Sequence, residues 1–131
     1  MPNTARFEDA SPYDGDILDL PVADIDSAID WYSTHFGMEL LDRTESPTNR
    51  ALLRRDGVQL GFAANGRDPS QNGAAITVPD AQSMRDDLES RGVEVANWRI
   101  DERDGERFQV FFVVAPDGLC YYFQQRLDEA T

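Results

Sequence analysis

Leu20-Pro21-Val22-Ala23-Asp24-Ile25-Asp26-Ser27-Ala28-Ile29-Asp30-Trp31-Tyr32-Ser33-Thr34-His35-Phe36-Gly37-Met38-Glu39-Leu40 is the stretch whose reading decides how this chain is built. Up to Val22 the pattern alternates. Leu18, Leu20 and Val22 fall on one face and Ile17, Asp19 and Pro21 on the other, which predicts a strand from Ile17 to Val22. Pro21 has no N–H to give a ladder, so this strand lies at an edge or ends there. After Asp24 the spacing becomes helical: Ile25, Ala28, Ile29 and Tyr32, flanked by Trp31 or Phe36, form one apolar stripe. Asp24 can cap the free N–H groups at the start and Gly37 can stop the far end, which predicts a helix from Ile25 to His35. Met38 to Thr44 then reads as strand.

Working outward, the polar loop from Glu45 to Asn49 is followed by Ala51 to Arg54 and Val58 to Ala63. Asp56-Gly57 lies between them, the strongest short-range hairpin signal in the chain. Asn65 to Asn72 is a linker by composition. The order then repeats. Ala74 to Val78 is strand-like, Asp80 caps a helix from Ala81 to Arg91 that buries Met84 and Leu88, and Gly92 ends it. Val93 to Trp98, Phe108 to Val114 and Leu119 to Gln124 are strands, separated by the charged turn Asp101 to Gly105 and by Pro116-Asp117-Gly118. A strand, a helix and three strands, occurring twice, is an internal repeat. Helix and sheet each bury one apolar side. The expected fold is therefore α+β, with two tandem βαβββ modules forming cupped mixed sheets and the helices on the outer face. One domain spans residues 17–125, with modules at about 17–64 and 73–125, after a polar lead-in over 1–16.

Composition narrows the function classes. The chain has 131 residues, enough for one domain with its own core. All 12 basic residues are arginine, against 25 acidic ones, and the net charge of -13 repels nucleic acid and anionic membranes. It favours a cationic ligand or reflects a strongly hydrated acidic surface. No stretch approaches a membrane span and the start is not that of a signal peptide, so the cytoplasm is the expected location. The single cysteine, Cys120, excludes an internal disulfide and reads as a buried strand residue. The Asp14 and Asp16 pair matches no complete calcium loop and reads as a solvated run.

The Leu20–Leu40 run resembles the opening of the vicinal oxygen chelate superfamily, which includes glyoxalase I, extradiol dioxygenases, fosfomycin-modifying enzymes and bleomycin-resistance proteins. Ala75-Ile76-Thr77-Val78-Pro79-Asp80 resembles the start of that family's second module. Ala115-Pro116-Asp117-Gly118 resembles its D-P-D-G turn, with Ala115 in place of the first aspartate. The resemblance covers about Ile17 to Gln124. It implies a cup that holds either a substrate on a divalent ion or, in a metal-free branch, a sequestered drug. It also implies a homodimer, with pockets that can form from both chains. The family's metal positions fall on Ile17, Gly61, Gly73 and Tyr122, none of which supplies a good ligand. A face-preserving shift of two residues brings in Asp19, Gln59 and either Cys120 or Gln124, still a poor transition-metal set. No metal and no cofactor are expected. His35, near the end of the first helix, does not reach the cup.

If those positions face inward, so do Asp19, Gln59, Ala75, Thr77, Gln109, Phe111, Val113, Cys120 and Gln124. The expected ligand-binding set is Ile17, Asp19, Gln59, Gly61, Gly73, Thr77, Gln109, Phe111, Tyr122 and Gln124, with small residues leaving room, aromatic rings giving flat walls and a few groups that orient a ligand. This favours metal-independent binding of a planar or cationic small molecule. Three alternatives stay open: a divalent-metal lyase, isomerase or dioxygenase with a non-standard ligand set, a metal-free enzyme with Asp19 as base and Tyr122 as proton donor, and a pure assembly module with a filled cup.

Overall fold

A computed structural model of the chain describes residues 6–12, 17–45, 49–64, 66, 68 and 73–127. The Asp14 and Asp16 pair, most of the linker over 65–72 and the middle of the loop at 46–48 lie outside the described residues. Both helices form where their caps stand. In α1 (Ile25–His35), Asp24 accepts from the Asp26 N–H at 3.3 Å and from the Ser27 hydroxyl at 2.6 Å. The N–H groups of Phe36 and Met38 both donate to the Tyr32 carbonyl, and Gly37 takes φ +65 to turn the chain out. In α2 (Ala81–Ser90), Asp80 accepts from the Ser83 N–H at 3.2 Å, and Gly92 at φ +87 closes the far end. Ile25, Ala28 and Tyr32 of α1 and Ala81, Met84 and Leu88 of α2 are the buried stripes.

Nine strands are described: β1 (Asp9–Pro12), β2 (Leu20–Pro21), β3 (Glu39–Thr44), β4 (Arg50–Arg55), β5 (Val58–Ala63), β6 (Gly73–Thr77), β7 (Ala96–Arg103), β8 (Glu106–Val114) and β9 (Cys120–Leu127). They make a four-stranded sheet, β2-β5-β4-β3, and a five-stranded sheet, β1-β6-β9-β8-β7. In each module the first strand lies parallel to the last (β2 with β5, β6 with β9) and all other pairs are antiparallel. Strand, helix and three strands thus occur twice, in two mixed sheets with the helices on the sides turned away from the open faces.

Three details differ from the sequence expectation. The expected strand from Ile17 shrinks to Leu20–Pro21, because residues 17–19 form a turn, and beyond Pro21 only the Val22 N–H still reaches β5, donating to the Ala63 carbonyl at 3.0 Å. The lead-in is not merely polar: Phe7 is 1% exposed in the core, and Asp9–Pro12 pairs antiparallel with β6. The charged segment is mostly strand. β7 runs on to Arg103, and only Asp104 and Gly105 turn, at φ +51 and +79 as a two-residue hairpin loop requires.

The two sheets share one core. Tyr32 of α1 stacks on Phe62 of the first sheet at 4.3 Å and meets Tyr121 of the second at 5.8 Å. The two tyrosine hydroxyls hydrogen-bond at 2.5 Å inside it. Val58, Leu60 and Phe62 with Ala51 and Leu53 line it from one side, and Ile76, Phe111, Val113, Tyr121 and Phe123 from the other. Arg55, with a side chain only 9% exposed, ties the layers at their edge: it donates to the Phe36 carbonyl at 3.0 Å, pairs with Asp87 of α2 at 3.0 Å and lies 4.7 Å over the Phe7 ring. Since strand side chains alternate, the faces opposite this core are the open ones, and they point away from each other.

Candidate functional site

The open face of the first sheet is a groove of about 210 Å³ lined chiefly by Leu18, Asp42, Thr44, Arg50, Leu52 and Gly61. The turn at residues 17–19 crosses Gly61, whose N–H donates to the Ile17 carbonyl at 3.0 Å. A Cβ at Gly61 would stand 2.2 Å from the Leu18 carbonyl oxygen, so this glycine is required by the close approach of two backbones. The turn also exchanges the expected facing of Ile17 and Leu18. Ile17 packs against the core, and Leu18, 43% exposed, lines the groove in its place. Asp19 is on this side, held by Arg50 at 2.9 Å, and Gln59 is exposed on the same face opposite Arg54.

The open face of the second sheet carries Gly73, Ala75 and Thr77 of β6, Cys120, Tyr122 and Gln124 of β9, Phe108, Val110 and Phe112 of β8, and Arg99, Asp101 and Arg103 of β7. Their polar groups form two short chains of bonds. Arg99 donates to Asp101 at 2.8 Å, the Tyr122 hydroxyl donates to Asp101 at 2.7 Å, Arg103 donates to the Gln124 amide oxygen at 2.6 Å, and Gln124 donates to the Thr77 hydroxyl at 3.4 Å. The guanidiniums lie over rings: Arg99 is 5.2 Å from the Phe112 centroid, and Arg103 is 4.2 Å from that of Phe108. Beneath this layer Val110 is fully buried, outside the main core.

Three sequence expectations fail here. Val113, opposite the buried Tyr121, belongs to the core, on the side of β8 that Phe111 and Gln109 also take. Phe111 pairs directly with Phe123, their rings stacked at 4.8 Å, so it is core and not cup wall. Gln109 shares its side of β8, opposite Gln125, and is spent on the Arg99 carbonyl at 2.8 Å. The aromatic surface of this face comes from Phe108 and Phe112, one residue out of step. Gly73, Thr77, Tyr122 and Gln124 do share the face, whereas Asp19, Gln59 and Gly61 lie on the other sheet. One chain therefore does not bring Asp19 and Tyr122 onto a common surface.

The electrostatics follow from these contacts. Arg99 first, and then the Tyr122 hydroxyl, hold the Asp101 carboxyl below its usual range, and Asp101 in turn raises Arg99. Burial and the bond to Asp101 push the Tyr122 phenol up to about 12. With the folded value above the unfolded one, the stabilisation from this phenol is intact below about pH 10 and is lost as pH climbs towards 12. A spectrophotometric titration is expected to find one phenol ionising near 12 that is missing in Tyr122→Phe, and that moves towards 10 in Asp101→Asn. Ionisation of all accessible tyrosines near pH 10 would contradict the geometry.

The family's metal positions do not fit an ion. Ile17, Gly61 and Gly73 have no donor side chain, Gly61 is closed off by the Leu18 carbonyl, and Tyr122 is bonded to Asp101. Among the described residues no three His, Cys, Asp or Glu side chains stand close enough to hold a metal. His35 stacks on Trp31 at 5.0 Å, away from both open faces. A hollow of about 220 Å³ lies there, between α1 and the turn at Pro116 and Asp117. No helix among the described residues is long and apolar enough to cross a membrane.

Comparison with known proteins follows the same lines. The sequence model of the Glyoxalase/Bleomycin resistance protein/Dioxygenase superfamily matches residues 16–119. TnmS3, an antibiotic binding protein from Streptomyces sp. CB03234, is similar in structure, with TM-score 0.66, 17% identity, and 88% of this chain and 98% of that one covered. A glyoxalase/bleomycin resistance protein/dioxygenase from Alicyclobacillus acidocaldarius gives TM-score 0.64 and 23% identity over 88% and 93% of the two chains. TioX from Micromonospora sp. ML1 gives 0.61 and 17% over 90% and 100%. At these identities the structural matches speak for the fold. A search of curated proteins finds no significant match.

Proposed function

Because this chain belongs to the Glyoxalase/Bleomycin resistance protein/Dioxygenase superfamily, we propose that it is a metal-independent binder of a planar small molecule, its pocket completed by a second copy of the chain. The observation that carries this reading is the chemistry at the four metal positions: three offer no donor atom, and the fourth, Tyr122, is already bonded to Asp101. Flat side chains and a few orienting polar groups remain, which is what a ligand pocket needs. Of the two ligand classes expected from the sequence, planar or cationic, the geometry supports planar, because Asp19, the carboxylate assigned to a cation, is paired with Arg50. The binding of an antibiotic by TnmS3 is consistent with this class of ligand.

Dimerisation is supported by the divergence of the open faces. A groove on one sheet and an aromatic-arginine face on the other cannot close on each other within one chain, whereas a second copy laid across them makes two equivalent pockets, each from unlike halves. The enzyme readings need more. Asp19 and Tyr122, or the shifted set Asp19, Gln59 and Gln124 or Cys120, would have to be contributed by different chains.

Calorimetric titration with a panel of planar aromatic compounds, before and after exhaustive chelation, tests the proposal. The expected result is binding whose affinity changes less than about twofold on chelation (under 0.5 kcal/mol), by a species of twice the chain's mass in light scattering. Ligand binding that appears only on adding a divalent ion would overturn the metal-independent reading. Undiminished binding by a monomer would overturn the shared pocket.

A further inference from the structure

The chain is strongly acidic, at -13, yet the open face of the second sheet is not. Arg99, Arg103 and Arg126 stand there against two carboxylates, Asp101 and Glu106. Arg99 is paired with Asp101 at 2.8 Å and Arg126 with Glu106 at 2.7 Å. Arg103 is different. It is exposed, it is pinned to the neutral Gln124 amide at 2.6 Å, and among the described residues no carboxylate lies within ion-pair distance of it. Its guanidinium is 4.2 Å from the Phe108 centroid and 5.6 Å from that of Tyr122. A guanidinium placed over a ring can still offer planar surface for stacking and a free N–H edge for a carboxylate-like group. The Debye length in physiological salt is about 8 Å, so an arriving ligand responds to this face more than to the charge of the whole chain.

We infer that the open face of the second sheet takes the acidic group of a planar ligand, with Arg103 as the partner of that group and the guanidinium planes as its stacking surface. This rests on the cup being a binding site. The ligand class is a planar aromatic acid: a carboxylate, sulfonate or acidic phenol on a flat ring system.

Three probes of one shape and different charge test it: 2-naphthoate, naphthalene-2-methanol and 2-naphthylmethylammonium, titrated calorimetrically into the wild-type protein, Arg103→Gln and Arg103→Lys. Naphthoate is expected to bind about tenfold tighter than the ammonium, the effect of one charge-assisted hydrogen bond at a partly exposed site. Arg103→Gln removes that gap and, by taking away the guanidinium plane, also weakens the neutral alcohol. Arg103→Lys keeps part of the gap and weakens all three by removing the plane. Arg107→Gln, whose residue lies on the other face of β8, changes nothing. An ammonium that binds as tightly as naphthoate, or a gap that survives Arg103→Gln, overturns the inference and leaves the binding reading intact. If none of the three binds, the cup reading falls and the inference with it. Should Arg103→Gln fail to fold, the order of the three probes on the wild-type protein decides the matter.

Discussion

Phe36→Ala is expected to cost about 4 kcal/mol, the middle of the range for emptying a buried phenylalanine site. Phe36 is fully buried, and its ring lies within 6.0 Å of five others: Phe7, Trp31, Tyr32, Tyr121 and Phe123. Those partners come from the N-terminal segment, α1 and β9, so the hole opens where the two modules are joined. The site collapses poorly, because both sheets hold their positions through their ladders. A domain of this size has roughly 5–15 kcal/mol in hand, so the variant keeps its fold with little margin. Urea unfolding followed by far-UV circular dichroism and by tryptophan emission checks this, since Trp31 is 5.1 Å from the lost ring. A loss below about 2 kcal/mol would mean that the junction repacks easily.

Gly61→Ala is expected to cost about 3 kcal/mol although it adds a single methyl group. Its Cβ would be placed 2.2, 2.5 and 2.6 Å from three backbone atoms of Leu18, none of which can swing aside as a side chain would. The turn over residues 17–19 has to lift, which breaks the Gly61 N–H bond to the Ile17 carbonyl and spoils the groove wall at Leu18. Gly57→Ala is the control. Its nearest neighbour would be the Glu8 carbonyl at 3.5 Å, an ordinary contact, and its effect should stay within about 0.5 kcal/mol. Equal effects at the two glycines would show that the added methyl, rather than the close crossing, is responsible.

Where local chemistry decides, the sequence was legible. Asp24 and Asp80 cap the helices as read, Gly37 and Gly92 end them, and Asp56-Gly57 turns its hairpin. The second hairpin is harder to read from sequence, because its Asp104-Gly105 signal is embedded in a run of charges. Placing the turn too early hid Arg99, Asp101 and Arg103, whose alternation is that of a strand with one polar face. Val110 to Val114 is apolar throughout, so periodicity cannot say which of Phe111 and Phe112 faces the core; only the pairing with β9 settles it. Asp9 to Pro12 has no strand propensity, and its pairing is imposed by β6 and by the anchoring of Phe7 nearby. That the two open faces diverge is a property of how the modules share a core, and no local pattern carries it.

The position of β1 bears on how the chain reaches this state during synthesis. The first module can pair all its strands once residue 63 has emerged. β1, made before any of them, pairs with none of them and has to wait for residues 73–77. β6 in turn is flanked on its other side by β9, the last strand described, so the first and last of the described strands end about 10 Å apart across it. The five-stranded sheet is therefore closed by the first and the last of the described strands. Such long-range closure slows folding, and it makes the second sheet the late, aggregation-exposed step on the ribosome, while the first module can already be packed.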